Sequence, residues 1–423
     1  MGNRLPRPAA ALNQSCFCKT VDLASLRQAL EHEIGDADLT RSISETHPHL
    51  FANVSVFISA DAAQRMRDVA GAIDSLTANP AYQKAVLAWA PEIAQYDPGP
   101  IGALMGYDFH LEAGAPQLIE VNTNAGGAFL NALLTRAQIA CCPEVRRPGA
   151  EAAADFEASI EAMFRAEWKR QRGNLPLARI AIVDDSPAGQ YLYPEFLLVQ
   201  RMLARAGLES LILDPKELSY KDGRLIAADK PIDLVYNRLT DFALTHPDHA
   251  ALRSAYLDGA VVLTPNPRAH ALLAHKRNLT LLSDPTALGS LGVEDRLVKL
   301  LQASVPRTTC VTPENAAELW ADRRRLFFKP MAGFGSKGAY RGDKVTKSVW
   351  ESIITGGYVA QSFAPPGQRT IKLDGSPVSL KADIRLYTYA GKQLLSAARL
   401  YQGQTTNLRT QGGGFAPIFQ AER

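Results

Sequence analysis

The chain has 423 residues, with 46 Lys plus Arg against 43 Asp plus Glu. That length exceeds one ordinary core and points to two or three subdomains. A net charge of +3 excludes a globally basic or acidic protein, so neither nucleic acid nor a membrane surface is an expected partner, and any anion site must be local.

Five cysteines, Cys16, Cys18, Cys141, Cys142 and Cys310, form no disulfide framework and fit a reducing compartment. No apolar run follows Arg4 and Arg7, and no stretch is long enough to span a bilayer, so a cytoplasmic protein is expected.

Residues 1–100 read as a mainly helical region. Leu23, Leu26, Leu30 and Ile34 recur at helical spacing, as do Met66, Val69, Ile73 and Leu76. Two extended runs then follow, 107–111 and 117–121, joined by Glu112-Ala-Gly114-Ala-Pro116, which predicts a hairpin. Side chains alternate along a strand, so Glu120 and Asn122 share a face across Val121, and pairing across the turn lets Asp108 join them. Two carboxylates and an amide oxygen make the all-oxygen set that Mg²⁺ prefers. An exposed hairpin with an acidic face is the alternative. The unit 101–150, with a helical run at 128–140, is read as this hairpin and its helix.

Residues 151–265 alternate strand and helix: a helix at 150–172, strands at 179–183, 210–213, 234–236 and 261–263, and a helix at 194–206. That order predicts a parallel, Rossmann-like sheet, although no Gly-rich turn follows Val183 to bind a dinucleotide. Asn237 and Arg238 lie where such sheets bind ligands; pairing of Arg238 with a nearby acid is the alternative.

The 266–365 segment is read as a nucleotide lid. It begins with a helical stretch, 270–282, that carries Lys276. Lys329 lies on a strand ahead of Gly333-Phe334-Gly335-Ser336-Lys337-Gly338, and no helix follows these glycines. This suggests a strand–loop–strand flap whose amides approach phosphates while Lys329 supplies a point charge. Ala360, Gln361 and Ser362, in the strand near 357–363, are candidates for a backbone hinge to adenine.

In 366–423, residues 380–389 alternate with period two, placing Lys381, Asp383 and Arg385 on one face, with Arg399 on the neighbouring strand. Three cations and one acid on one face imply visiting anions, or else a salt-bridged solvated face. Asn407 and the run Gly412-Gly413-Gly414 follow as a polar loop.

The ordered set, Asp383-Ile-Arg385, Arg399, Asn407-Leu408 and the glycines after them, resembles the ATP-grasp superfamily, as in ligases that add glutamate to a ribosomal protein tail. Asp108 and Glu120-Val121-Asn122 resemble that superfamily's last motif but lie at the front of the chain, as in the circularly permuted ATP-grasp enzymes that include the synthetase half of glutathionylspermidine synthase. The resemblance implies an α/β (α+β) permuted ATP-grasp fold and an ATP- and Mg²⁺-dependent carboxylate–amine ligase, acting through an acyl phosphate on small-molecule or peptide substrates. It assigns Lys276, Lys329, the flap and Lys381 to ATP, and Asp108, Glu120 and Asn122 to the metal. Arg385, Arg399 and Asn407 become catalytic, with Asp383, Gly412 and Gly413 beside the substrate. A phosphotransferase on the same site, or an ATP-binding protein without catalysis, are the other classes. Three departures stand out: Gly106 replaces the Arg usual two residues before the hairpin Asp, the hinge has no obvious acid for a ribose, and no amidase half precedes the ligase-like part.

Overall fold

The computed structural model describes residues 8–112, 115–139, 145–146, 150–333 and 338–421. The predicted hairpin is present as strands Met105–Glu112 and Ala115–Asn122. Tyr107, Phe109 and Leu118 are fully buried on one face, each contributing about 1.5–3 kcal/mol of apolar burial. The opposite face keeps Asp108, Glu120 and Asn122. The ladder has a bulge after Asp108, because Asp108 pairs with Glu120 while Phe109 pairs with Leu118, leaving Ile119 as the extra residue.

The hairpin completes an antiparallel sheet ordered Gly414–Ala416, Lys392–Tyr401, Ser376–Tyr389, Met105–Glu112 and Ala115–Asn122; Gly367–Leu373 pairs with the far end of the long Ser376–Tyr389 strand. Strand Met105–Glu112 sits directly beside Ser376–Tyr389, with Asp108 opposite Arg385. Ala382, Ile384 and Leu386 turn the other way, into a core shared with Met66, Val69 and Ile73 of helix Ala60–Leu76. The front and tail of the chain thus form one surface.

The expected parallel sheet is also present, in the order Val262–Thr264, Leu234–Asn237, Arg179–Val183 and Glu209–Leu213, with helix Tyr193–Arg205 as a crossover. A third sheet, antiparallel, holds Thr308–Cys310, Tyr358–Ser362, Leu326–Pro330 and Tyr340–Arg341. Its Lys329 strand pairs antiparallel with Tyr340–Arg341, while residues 334–337 of the expected flap lie outside the described residues.

Two local readings need correction, and the mainly helical front of the chain holds one element that its periodicity did not announce. The 1–100 region contains a strand, Val56–Ser59, paired in parallel with Ile418–Ala421; its four residues are too few for a local period to announce them. The helix read at 270–282 is broken: a π-helical turn, His270–Ala274, ends before His275, and a new helix runs Asn278–Leu282. Lys276 therefore lies on a turn. The helix read over 128–140 ends at Arg136. Among the described residues, no helix is long and apolar enough to cross a membrane.

Candidate active site

Between the acidic hairpin and the lid sheet lies a cavity of about 390 Å³, in the size range of small-molecule sites. Its lining includes Asp108, Glu120, Asn122, Lys276, Lys329, Gly333, Gln361, Ser362, Lys381, Asp383, Arg385, Arg399 and Asn407. Residues read separately from distant parts of the sequence meet here.

At the acidic end, Arg385 grips Asp108 with both arms, Nε to Oδ1 at 2.6 Å and Nη2 to Oδ2 at 2.7 Å. Arg399 donates Nη2 to the same Oδ2 at 2.9 Å and Nε to Asp383 Oδ1 at 2.6 Å, and Thr406 Oγ1 donates to Asp383. Burial opposes ionisation of Asp108, but the two guanidiniums outweigh it and hold the carboxyl well below its usual range. Glu120 behaves alike: burial raises its pKa, while Lys276 and Lys329 bring it down overall.

Lys329 is buried and donates Nζ to the carbonyl of bulged Ile119 at 2.8 Å and to Gln361 Oε1 at 2.9 Å. Burial, only partly offset by Glu120, lowers its pKa to about 8. Lys276 Nζ lies 3.9 Å from Glu120 and donates to the Gly333 carbonyl at 2.6 Å. Lys381 donates to the Gly403 carbonyl. In the lining, six cations (Lys276, Lys329, Arg341, Lys381, Arg385, Arg399) face three carboxylates (Asp108, Glu120, Asp383). An excess of three positive charges suits a polyphosphate.

The acidic set also fits a hard cation. Asn122 Nδ2 donates to Asp108 Oδ2 at 3.1 Å and to Glu120 Oε1 at 3.3 Å, so the two carboxylates converge on one neutral amide, whose oxygen would have to turn inward to ligate a cation. Among the described residues, no group of three His, Cys, Asp or Glu side chains is arranged around a metal. A metal here would have to rely on two carboxylates plus the Asn122 amide oxygen.

Other predicted residues fall elsewhere. Ala360 is buried in the lid core, and its strand is paired on both sides, so it offers nothing to a base. The amides of Ser362 and Phe363 donate to the Arg307 and Arg325 carbonyls, both at 2.8 Å. Gly338 stands outside the cavity lining, its Cβ position 2.9 Å from Tyr358 Oη, while Gly335, Ser336 and Lys337 lie outside the described residues.

Asn237 is spent on the Pro265 carbonyl and the Leu239 amide. Arg238 is buried beside Glu195, stacked over Tyr236 and Phe196; it follows the alternative reading, with an acid for a neighbour. Asn407 lines the cavity, yet its side chain ties its own loop, to Gln402, Arg409 and Thr410. Gly412 and Gly413 pack against Ile371, Leu373 and Leu400 and do not line the cavity.

Several lining residues escaped sequence reasoning. Arg341 lies over the Phe363 ring at 4.6 Å. His110 donates Nδ1 to the Ala364 carbonyl at 2.6 Å; two positions from Asp108, it shares that residue's face, a period-two signal that was there to use. Leu192, Leu408 and Phe415 add apolar lining, Phe415 standing opposite Arg399 on the neighbouring strand. At Gly106, a Cβ would lie 2.5 Å from that of Ala125 and 3.4 Å from Arg385 Cδ and Nε, so the Arg385 side chain already fills the space above it.

No family model matches the sequence, and no curated protein matches it significantly. Among solved structures, the chain is similar to an apo glutathione synthetase-like effector from Globodera pallida, at 12% identity and TM-score 0.56 over 95% of this chain and 98% of that one. A putative γ-glutamylcysteine synthetase from Methylobacillus flagellatus KT aligns at 12% identity and TM-score 0.46 over 84% and 86%. The ATP-grasp ligase PsnB, complexed with a minimal precursor, aligns at 14% identity and TM-score 0.30 over 59% and 92%. At such identities the likeness concerns fold alone: the chain has a mixed α/β fold that it shares with the glutathione synthetase-like effector.

Proposed function

We propose that the chain is an ADP-forming carboxylate–amine ligase, built on a circularly permuted ATP-grasp arrangement and working with ATP and Mg²⁺. The observation that carries this reading is the meeting, in one cavity, of an oxygen-donor acid set, two lysines beside a Gly-rich flap and a buried arginine pair. The fold shared with a glutathione synthetase-like effector supports it.

Asp108, Glu120 and the amide oxygen of Asn122 would hold the metal, which when bound would neutralise phosphate charge. Lys276 and Lys329 bind the phosphates. The substrate carboxylate takes up the γ-phosphoryl group to give an acyl phosphate and ADP; the amine then displaces phosphate, leaving an amide. Arg385 and Arg399 stand where negative charge builds on the phosphoryl and then on the tetrahedral adduct. Both are already oriented by Asp108 and Asp383, so little reorganisation is needed. Arg385, passing over Gly106, supplies the guanidinium that the resemblance expects from position 106. Segment boundaries follow function in this proposal: 101–150 and 366–423 form the core, 151–265 the substrate-side sheet and 266–365 the lid.

The test is incubation with ATP, Mg²⁺ and a panel of amino acids, peptides and polyamines. Amine-dependent ADP release with an amide product is expected. ADP formed with a phosphorylated product and no amide indicates a phosphotransferase; tight ATP binding without turnover indicates lost catalysis. Either refutes the ligase.

A further inference from the structure

The hinge end of the cavity presents a puzzle of its own. Its main-chain amides at Ser362 and Phe363 are already committed, both ends of the Gln361 side chain are held by Lys329 and Thr308, and the carboxylates lining the cavity, Asp108, Glu120 and Asp383, belong to the arginine and lysine cluster at the other end. Among the described residues, a nucleoside seated there meets no acid for its sugar.

His110 stands in that gap. The ring lines the cavity and reaches from the acidic hairpin across to the lid, where its Nδ1 donates to the Ala364 carbonyl at 2.6 Å. A carbonyl only accepts, so Nδ1 carries the proton and the orientation of the ring is set. Its Nε2 has no hydrogen-bond partner among the described residues and is not among the buried unsatisfied atoms, so it keeps access to the cavity. Along its strand His110 follows Asp108 by two residues on the same face, about 7 Å further from the phosphate end. That offset matches the span from the outer phosphates of a nucleoside triphosphate back to its sugar. Ile119, the bulged residue, lines the cavity nearby on the paired strand.

We propose that His110 is the residue that binds the ribose of the nucleotide, its Nε2 meeting a sugar hydroxyl. This role rests on the reading of the cavity as an ATP site. A hydroxyl is both donor and acceptor, so the contact holds whichever protonation state the ring adopts. By holding the Ala364 carbonyl on one side and the sugar on the other, His110 joins hinge, hairpin and nucleotide through one ring.

The experiment compares affinities for ATP and 2′,3′-dideoxy-ATP, with Mg²⁺ and no other substrate, in the wild type, His110→Phe, His110→Gln and Ser362→Ala. The wild type should favour ATP by roughly fivefold to twentyfold, the worth of one or two net hydrogen bonds. His110→Phe should bind both nucleotides alike, His110→Gln should recover part of the preference, and Ser362→Ala, removing a hydroxyl from another residue that lines this end, should retain it. If His110→Phe does not fold, His110→Gln and Ser362→Ala decide the matter by the same ratio. An undiminished preference in the His110 variants, or no preference in the wild type, overturns the assignment while leaving the ATP site intact. Failure of the wild type to bind ATP overturns the ATP reading itself, and this assignment with it.

Discussion

Replacing Arg385 with Met removes the stronger of the two clamps on Asp108. Arg385 supplies hydrogen bonds of 2.6 and 2.7 Å to that carboxylate, and Asp108 is only 3% exposed. Breaking a buried ion pair by removing one partner costs about 3–5 kcal/mol; Arg399 at 2.9 Å and Asn122 at 3.1 Å remain, which brings the expected loss to about 2–4 kcal/mol. The loss should depend on pH. The folded pKa of Asp108 is depressed, so its contribution is present above the unfolded value of about 3.9 and fades as pH falls through the folded value. The gap between wild type and variant should therefore be largest near pH 7 and shrink below about pH 4. Urea denaturation at pH 7 and pH 3.5 measures it, with Asp108→Asn and the double variant completing a cycle. The double variant should be more stable than the summed single losses predict, because no buried charge is stranded. A loss under about 1 kcal/mol at pH 7, or strict additivity, refutes the clamp.

Other outcomes follow from the same geometry. The lowered pKa of Lys329, about 8, means that ATP affinity should fall by up to about tenfold per pH unit above that value, a dependence that Lys329→Arg abolishes; titration calorimetry between pH 7 and 9 reads it. The depressed pKa also means that the protonated form carries a desolvation cost, which is relieved as pH rises from about 8 toward the unfolded value of about 10.4, so stability should gain slightly there. Glu120→Gln should raise the Mg²⁺ concentration that supports turnover by roughly tenfold or more, and chelation should abolish turnover in the wild type; unchanged metal dependence counts against the acid set. Gly127 has φ +96° and its Cβ position lies 2.2 Å from the Phe415 ring, so Gly127→Ala should cost about 1–3 kcal/mol, seen as a lower melting temperature.

Much of the fold was legible because its signals are local. Alternation marks the hairpin and the 380–389 strand, and runs such as 179–183 declare a buried parallel strand. What escaped depends on remote partners. Val56–Ser59 becomes a strand because Ile418–Ala421 lies beside it. The bulge at Ile119 shows only once the two strands are in register. The break at His275 separates two segments that each keep helical spacing, so periodicity carried straight across it. The charge-bearing residues that line the cavity were readable by type, whereas the packing around Ala360, Asn237 and Gly412 was not, because spacing does not reveal which backbone or amide group is already taken.

The salt bridge joining Asp108 to Arg385 spans 277 positions. On a ribosome adding about 5–20 residues per second, the arginine emerges roughly 15–55 s after the aspartate. Through that interval the hairpin has neither its central neighbour strand nor its counter-charge, and Tyr107, Phe109 and Leu118 lack much of the core that covers them in the finished protein. Nascent chains of this protein should consequently engage holdase chaperones until late in synthesis, and the cavity should form only as the last strands dock.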